Sequence, residues 1–174
     1  LPIIAITGTN GKTTVSHFIG QLATAMDIKT LVIGTNGIYL DGERQKADEQ
    51  LTTKSAIFLQ RLLKKAIQQN VALVVLEASS MGLEQHRLDF CMIDVGVYLN
   101  LTEEHLDNHG TMEKYKAAKR RLVPLSEQIV CNADDAFCRL VAMKCTKPVM
   151  LFSKAGQGDL NMQILHEDLH HSLV

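Results

Sequence analysis

The sequence has little net charge and no long apolar run. Its 18 lysines and arginines nearly balance 19 acidic residues, which leaves a formal charge of -1. Without an excess of one sign, no overall field attracts the chain to nucleic acid or to an anionic membrane, and we expect neither as a partner. No apolar run approaches the roughly 20 residues of a membrane span. These absences favour an ordinary globular protein, which we expect in the cytoplasm.

The sequence also lacks the CxxC spacing that would indicate a zinc or redox pair. Its four cysteines are Cys91, Cys131, Cys138 and Cys145. Cytoplasmic cysteines are kept reduced, so we expect buried thiols and neither disulfides nor a zinc site.

The length of 174 residues suits one domain whose core is large enough to fold without crosslinks. The chain begins at Leu1, one residue before the first predicted strand, and has no initiator methionine. It contains no internal repeat and no low-complexity linker. We therefore expect one domain taken from a longer protein, present as a monomer.

Apolar runs alternate with amphipathic stretches along the chain. They predict strands at residues 2–7, 30–33, 71–76, 93–99, 128–131 and 149–152, and helices at 12–26, 53–69, 112–125 and 134–143. Asp41-Gly42 predicts a hairpin turn, and the polar segment 43–50 predicts a loop. This alternation predicts an α/β fold with an open, mostly parallel sheet and helices on both faces. Ligands of such a sheet bind at the carboxyl ends of its strands.

Two of the predicted helices have an apolar stripe that we expect to be buried. In the first helix the stripe is Val15, Phe18, Ile19, Leu22 and Ala23, and in the second it is Ala56, Leu59, Leu63, Ala66 and Ile67. Beyond Ser153 the pattern weakens, and no element is predicted there.

The segment Thr7-Gly8-Thr9-Asn10-Gly11-Lys12-Thr13-Thr14 joins the first strand to the first helix. Its glycines let backbone N–H groups surround an oxyanion, and the helix start adds unpaired N–H groups. Lys12 would reach the β- and γ-phosphates of a nucleotide, and the Thr13 hydroxyl would bind Mg²⁺. The common phosphate-binding loop (P-loop) has a glycine where this chain has Ile6, so we predict a shortened variant. The alternative is a glycine turn with a solvated lysine.

Glu77 directly follows the apolar run 71–76. An acid at the end of a buried strand beside a P-loop stands where nucleotide-bound Mg²⁺ needs a carboxylate. The alternative is an acid that caps the following loop. Lys119, on the helix predicted at 112–125, is by default a solvated or phosphate-facing lysine.

Residues 100–110 place two histidines and three acids in one loop after a strand. Such a cluster suggests a second metal site that includes His105. His105 and His109 are four residues apart, as in a zinc-binding helix, but no glutamate follows His105, so a zinc hydrolase is disfavoured. For Asp107 and His109 the alternative is a polar loop with capping residues.

Several motifs occur in the order in which they occur in Mur ligases. They are the segment 7–14, Glu77-Ala78-Ser79-Ser80, Gly82-Leu83, Gln85-His86-Arg87, Asn100-Leu101-Thr102, His105-Leu106-Asp107, His109-Gly110, Ala117-Ala118-Lys119 and Asn132-Ala133-Asp134-Asp135. Over about residues 2–140 the chain resembles this family, and within it the tripeptide synthetases. The resemblance implies that residues 1–174 form the central ATP-binding domain of a three-domain ligase of peptidoglycan precursor synthesis. The N-terminal UDP-sugar domain and the C-terminal amino-acid domain would lie outside this chain.

The resemblance also implies roles for individual residues. ATP would be bound by Gly8, Thr9, Asn10, Gly11, Lys12, Thr13 and Thr14, and its adenine by Asn132. Two Mg²⁺ ions would be bound by Thr13, Glu77, His105 and Lys119, of which Lys119 matches the lysine that the family carbamylates with CO₂. A UDP-N-acetylmuramoyl-peptide would be held by Thr52, Thr53, Ser79, Gln85 and Arg87. The catalytic residues would be Lys12, His105 and Lys119.

The implied reaction has two steps. A carboxylate of the muramoyl-peptide attacks the γ-phosphate of ATP and becomes an acyl phosphate, and the amine of an amino acid then displaces phosphate to form an amide. These steps need positioning and charge neutralisation rather than a protein nucleophile.

The chain departs from the family pattern at Met81, where histidine is more usual, and at Lys54, where proline is frequent. The segment 158–174 matches no family motif.

Alternative functions are a folylpolyglutamate or cyanophycin synthetase, a switch or transport ATPase, and a non-catalytic nucleotide-binding module. A GTPase is disfavoured because Thr53-Lys54-Ser55-Ala56 and Thr146-Lys147-Pro148-Val149 lack the aspartate of a base-reading motif. The amino acid that is added is not indicated.

Overall fold

Nine strands form one open sheet in the computed structural model, which describes residues 1–46, 49–104, 106–163, 166–167 and 172–173. The strands are β1 (Ile3–Thr7), β2 (Thr30–Gly34), β3 (Gly37–Leu40), β4 (Glu43–Gln45), β5 (Leu73–Glu77), β6 (Ile93–Tyr98), β7 (Ser126–Asn132), β8 (Val149–Ser153) and β9 (Leu160–Asn161). Their order across the sheet is β4-β3-β2-β5-β1-β6-β7-β8-β9. In this spatial order, each pair of neighbouring strands in the series β2-β5-β1-β6-β7-β8-β9 is parallel. The strand β3 pairs antiparallel with both β2 and β4. A separate antiparallel pair consists of β10 (His166–Glu167) and β11 (Ser172–Leu173).

Helices cover both faces of the sheet. They are α1 (Lys12–Ala25), α2 (Ala56–Gln68), α3 (Ser80–Glu84), α4 (Leu106–His109), α5 (Met112–Arg120), α6 (Leu122–Leu125) and α7 (Ala136–Lys144). Successive residues of a strand point to opposite faces, so Ala5 lies in one apolar core and Ile6 in the other. Ile19 of α1 packs on the core of Ile6, and Leu59 of α2 and Phe137 of α7 belong to the core of Ala5. The predicted α/β class is confirmed.

The buried side of α1 agrees only in part with the predicted one. Phe18 and Leu22 are 59% and 66% exposed, whereas Gly20 and Ala23 are buried. A Cβ atom at position 20 would lie 2.5 Å from Cγ2 of Val32. The helix therefore approaches β2 closely through small residues. Val15, Ile19 and Ala23 of the predicted stripe do face the core, whereas the prediction is wrong for Phe18 and Leu22.

Three other predictions of secondary structure or burial are wrong. Residues 43–45, predicted as loop, form β4, because the turn at Asp41 and Gly42 has the positive φ values (51° and 82°) that continue a hairpin. The helix predicted at 112–125 is divided into α5 and α6. Pro124 has no N–H to bond with the carbonyl of residue 120, where α5 ends. Ile67 of α2 is 61% exposed rather than buried.

The cysteines of the chain are unpaired and mostly buried. All four cysteines are free, and three of them are buried. Burial raises the pKa of the Cys91 and Cys131 thiols to about 12, so both remain protonated and unreactive. Among the described residues, no helix combines the length and the apolar character needed to cross a membrane.

Candidate active site

A cleft of about 550 Å³ opens where the carboxyl ends of β1, β2 and β5 meet. Twelve of the predicted site residues line it: Gly8, Thr9, Asn10, Gly11, Lys12, Thr13, Thr14, Thr52, Glu77, Ser79, Arg87 and Lys119. The cleft is also lined by Thr35, Leu51, Ser80, Met81 and Tyr115. Thr53, Gln85 and Asn132 do not line the cleft, and His105 lies outside the residues that the structure describes.

The loop of residues 8–11, which we call the glycine loop, is fixed by Asn100 at the end of β6. The Asn100 side chain accepts a hydrogen bond from the Asn10 N–H (2.9 Å) and donates one to the Asn10 carbonyl (3.1 Å). Gly11 has φ +84°, a conformation that favours glycine. Among the described residues, no side chain caps α1. The N–H groups of its first turn therefore remain available to an anion.

Two lysines converge on the glycine loop. Nζ of Lys12 donates to the carbonyls of Gly8 (2.9 Å) and Thr9 (2.8 Å), and Nζ of Lys119 donates to the same Gly8 carbonyl (2.8 Å). Lys119 is 1% exposed, so it is not a solvated lysine. Burial, and secondarily the positive charge of Lys12, lowers the pKa of Lys119 to about 7. Burial also lowers the pKa of Lys12, against the attraction of the Glu77 carboxylate.

Tyr115 supports this pair of lysines, and sequence reasoning gave it no role. Its side chain is fully buried, with its ring centroid 4.7 Å from Nζ of Lys119 and its Oη atom 3.2 Å from Oγ1 of Thr9. The signal available in the sequence was the four-residue spacing of Tyr115 and Lys119, which places both on one side of α5.

Glu77 lies at the end of β5 with its carboxylate beside the start of α1. One carboxylate oxygen, Oε2, accepts hydrogen bonds from the hydroxyls of Thr13 (3.0 Å) and Thr35 (3.0 Å). The other, Oε1, accepts from the Thr35 N–H (2.9 Å). A Cβ atom at Gly34 would lie 2.0 Å from Oε1, so only glycine fits there. Thr35 was missed because it follows β2 without any motif of its own.

This arrangement bears on both interpretations of Glu77. One oxygen holds the loop after β2, as a capping acid would. The other lies beside the Thr13 hydroxyl, and such paired oxygen ligands suit a hard cation such as Mg²⁺. Within the described part of the chain, no three His, Cys, Asp or Glu side chains are grouped so that they could hold a metal ion. The predicted second metal site depends on His105, which is not described.

Residues predicted to hold the acceptor substrate fall into two groups. Thr52 lines the cleft with its hydroxyl oxygen 3.1 Å from that of Thr35, and Arg87 donates to the Thr53 carbonyl (2.6 Å). Ser79 lines the cleft and caps α3 through Gly82. Thr53 is 2% exposed and donates to the Glu77 carbonyl (2.8 Å).

Two further predicted residues, which do not line the cleft, make hydrogen bonds with other parts of the protein. Gln85 accepts a hydrogen bond from the Arg87 guanidinium. Asn132 donates to the Leu99 carbonyl (2.9 Å) and accepts from the Asp134 N–H (2.9 Å). Gln85 thus orients Arg87, and Asn132 ties the end of β7 to the end of β6.

The two departures from the family pattern also have defined places. Met81 lines the cleft. Lys54 has 0% exposure, and its Nζ donates to the carbonyls of Leu51 (2.6 Å) and Gly34 (3.3 Å). Burial lowers the pKa of Lys54. The Lys54 amine therefore links Leu51, in the cleft, to Gly34 at the end of β2, next to the Glu77 carboxylate.

Comparisons with known proteins agree with this geometry. Residues 6–174 match the family described as Mur ligase middle domain. The UDP-N-acetylmuramoyl-L-alanyl-D-glutamate–2,6-diaminopimelate ligase of Synechococcus elongatus is 42% identical over 163 residues, 91% of this chain and 32% of that protein. The ligase of the same name from Geobacillus kaustophilus is 44% identical over 169 residues, 92% of this chain and 34% of that protein.

Solved structures show the same fold. A structure of a UDP-N-acetylmuramoyl-L-alanyl-D-glutamate–2,6-diaminopimelate ligase matches 99% of this chain and 36% of its own chain, with 36% identity and a TM-score of 0.86. E. coli FolC in complex with DHPP and ADP matches with a TM-score of 0.65 and 18% identity, covering 99% of this chain and 47% of its own, which shows the fold alone.

The chain spans about a third of the length of the curated relatives that it matches. The relatives' names describe the joining of 2,6-diaminopimelate to a UDP-N-acetylmuramoyl dipeptide, and such a ligase is a tripeptide synthetase. The predicted resemblance is therefore confirmed. Because the family match covers residues 6–174, this chain belongs to the Mur ligase family, as a middle domain.

Proposed function

We propose that this chain is the ATP-binding part of a ligase that adds an amino acid to a UDP-N-acetylmuramoyl-peptide in peptidoglycan precursor synthesis. The observation that carries the proposal is a single cleft that holds both a nucleotide-type loop and a guanidinium. The glycine loop and Lys12 lie on one side of it, and Arg87 and Thr52 lie on the other. Such a cleft can hold a triphosphate beside an anionic acceptor.

The triphosphate would bind at the glycine loop. The uncapped N–H groups of α1 stabilise negative charge at its start, and Lys12 would exchange its carbonyl contacts for phosphate oxygens. We also propose that Asn132, as in the family pattern, contacts the adenine. The Asn132 side chain already donates to the Leu99 carbonyl. The adenine would therefore contact an edge of Asn132 that remains exposed at the end of β7.

Magnesium would be held by Glu77 and Thr13. The test of fit is the 3.0 Å contact between the Thr13 hydroxyl and the Glu77 carboxylate, which places two oxygen ligands side by side in the cleft. A bound Mg²⁺ would neutralise charge on the phosphates. Thr35 would keep Glu77 oriented, because it donates from both its N–H and its hydroxyl. His105 remains our proposed ligand for a second ion.

Lys119 would carry a carbamate in the active protein. Carbamylation requires a neutral amine, and the lowered pKa of about 7 provides one near neutral pH. The product is a longer anion than Asp or Glu, which can ligate or orient Mg²⁺. The Nζ atom already lies at the Gly8 carbonyl, beside the glycine loop, so the added carboxylate would form inside the cleft.

Arg87 would hold an anionic group of the acceptor. A guanidinium binds a carboxylate or phosphate with two parallel hydrogen bonds, and Gln85 and the Thr53 carbonyl fix its orientation. Thr52 and Ser79 would complete the wall of the cleft around Arg87. Thr53, which is buried behind this wall, would support Arg87 through its carbonyl. The acceptor carboxylate, held at this wall, would attack the γ-phosphate to give an acyl phosphate, and the amine would then displace phosphate.

The complete reaction would need the rest of the ligase. We propose that flanking domains of the same polypeptide bind the UDP-sugar and present the amino acid, that the enzyme is a monomer, and that it acts in the cytoplasm, where ATP is available. The relatives are named for 2,6-diaminopimelate. The domain that would select the amino acid is outside this chain, so the assay should also include other diamino acids.

The test is ATP turnover by the full-length protein with and without UDP-N-acetylmuramoyl-L-alanyl-D-glutamate. We expect ADP and phosphate to be released only when this acceptor is present, and an amide product only when the amino acid is added. The 174-residue chain alone should bind MgATP weakly and form no amide. Phosphate release that ignores the acceptor would indicate a switch or transport ATPase, and ATP binding without any turnover would indicate a non-catalytic module.

A further inference from the structure

Three polar side chains form a chain from the wall of the cleft to the protein surface. Ser80 lines the cleft, and its Oγ atom lies 2.9 Å from Nε2 of His109. Nδ1 of His109 lies 3.1 Å from Oε2 of Glu84. The side chain of His109 has 0% exposure, whereas that of Glu84 is 45% exposed. One buried imidazole therefore connects a hydroxyl in the cleft with a carboxylate in solvent.

One arrangement of protons would connect all three side chains. An ionised carboxylate only accepts hydrogen bonds, so an imidazole that turns Nδ1–H toward Glu84 leaves Nε2 as an acceptor. The Ser80 hydroxyl, 2.9 Å away, would then donate to Nε2. The lone pairs of the Ser80 oxygen remain available to a proton donor in the cleft.

The contact between His109 and Glu84 has the distance of an ion pair but not the direction of a hydrogen bond. Nδ1 of His109 is buried and has no hydrogen-bond partner among the described residues. A buried polar atom of this kind calls for a functional explanation. Rotation of the exposed Glu84 side chain would complete the hydrogen bond, so the chain can be connected and disconnected by a surface residue.

The chain lies next to the reacting part of the cleft. The ring of His109 is 5.2 Å from that of Tyr115, and the Tyr115 ring is 4.7 Å from Nζ of Lys119. The other ionisable groups here are engaged in contacts of their own. Lys12 and Lys119 donate to the Gly8 carbonyl, and Glu77 accepts three hydrogen bonds.

We infer that Ser80, His109 and Glu84 form a proton relay for the attacking amine, an inference that rests on the proposed function. The amine nitrogen bonds to the carbonyl carbon of the acyl phosphate, the bond from that carbon to the phosphate oxygen breaks, and phosphate leaves with the electron pair. The proton lost by nitrogen passes to Ser80 Oγ while the Ser80 proton passes to Nε2. The imidazolium formed in this way keeps its Nδ1 proton and is paired with the Glu84 carboxylate. Once the products leave, the Nε2 proton returns through Ser80 to water that enters the cleft, which restores every member to its starting state.

The relay predicts different effects on two reactions of the same acyl phosphate. Hydroxylamine is a strong nucleophile at neutral pH and traps an acyl phosphate as a hydroxamate without a general base. Attack by the amino acid depends on proton removal. In the full-length protein, Ser80→Ala and His109→Gln should slow amide formation on the order of 10²-fold or more, the usual size of general base catalysis. Hydroxamate formation should remain close to the wild-type rate.

Glu84 can be compared with Glu127, an exposed glutamate outside the relay that serves as a matched control. Glu84→Gln should slow amide formation and spare hydroxamate formation, whereas Glu127→Gln, at an exposed position of β7, should change neither. Because His109 is buried, its substitution can destabilise the protein. In that case the comparison of amide and hydroxamate rates in Ser80→Ala tests the relay, since this variant removes only one hydroxyl.

Several results would overturn the relay. Equal loss of amide and hydroxamate in Ser80→Ala would assign Ser80 to formation of the acyl phosphate instead. Normal rates of both reactions in Ser80→Ala would show that the proton leaves by another route. A wild-type protein that forms neither product refutes the proposed function, and the relay with it, which distinguishes that failure from failure of the relay alone.

Discussion

Replacement of Lys119 by methionine should stabilise the chain at low pH and lose this advantage as the pH rises. The folded pKa of about 7 lies below the 10.5 of an unburied lysine. Between these two values the unfolded chain binds more protons than the folded chain, so the free energy of unfolding of the wild type increases with pH across this window. Methionine has a similar shape and no charge, and removes this dependence.

The size of the effect follows from the shift. One pKa unit corresponds to about 1.4 kcal/mol, so a shift from 10.5 to about 7 sets an upper limit of roughly 5 kcal/mol on the cost of charging buried Lys119. The variant loses the hydrogen bond to the Gly8 carbonyl, which offsets about 1 kcal/mol. We therefore expect Lys119→Met to be more stable by a few kcal/mol at pH 6 and no more stable than wild type near pH 10.5.

Urea unfolding of the 174-residue chain at several pH values, in buffer freed of CO₂, measures this difference. A stability difference that stays constant from pH 6 to 10.5 would contradict the assigned pKa. The same shift leaves a large share of Lys119 neutral at pH 7.5, whereas an ordinary lysine is almost entirely charged at this pH. Activity of the full-length enzyme should therefore fall when CO₂ and bicarbonate are removed and return when they are restored. Lys119→Arg should be nearly inactive, because arginine forms no carbamate, and substantial activity in that variant would refute the carbamate.

Three further variants test the walls of the cleft. Lys12→Ala should abolish ATP turnover and keep a cooperative melting transition, because Lys12 is only half-buried; loss of that transition would make Lys12 structural. Arg87→Lys should raise the KM of the acceptor more than that of ATP, since an ammonium cannot form the paired contacts of a guanidinium, and equal changes would argue against an acceptor site. Gly34→Ala would place a Cβ atom 2.0 Å from Oε1 of Glu77, so it should raise the Mg²⁺ concentration needed for half-maximal activity about tenfold or more; an unchanged requirement would separate Glu77 from the metal.

Local patterns in the sequence predicted the sheet well. The run 71–76 is apolar throughout because a central parallel strand is covered on both faces, and it forms most of β5. Phe18 and Leu22 of α1 were wrongly predicted to be buried, because the contact depends on how closely the helix approaches the sheet. Gly20 allows the approach, and no periodicity of large side chains records it.

Parts of the site that are continuous in sequence were predicted, and parts assembled over long distances were not. The glycine loop could be recognised because its glycines, lysine and threonine follow one another. Thr35 and Glu77 are 42 residues apart, and Asn10 and Asn100 are 90 apart. The roles of Thr35 and Asn100 follow only from the pairing of β2 with β5 and of β1 with β6. The burial of Lys119 beneath the glycine loop likewise depends on the packing of α5.

The fate of the acceptor's own oxygen tests the proposed reaction most directly. The full-length protein would be given ATP, the amino acid and a UDP-N-acetylmuramoyl-L-alanyl-D-glutamate whose reacting carboxylate carries ¹⁸O at both oxygens. The released phosphate would be analysed by mass spectrometry. If the carboxylate attacks the γ-phosphate and the amine then displaces phosphate, each phosphate formed with an amide contains one ¹⁸O from the acceptor. Phosphate that carries no label would contradict an acyl phosphate formed in this cleft.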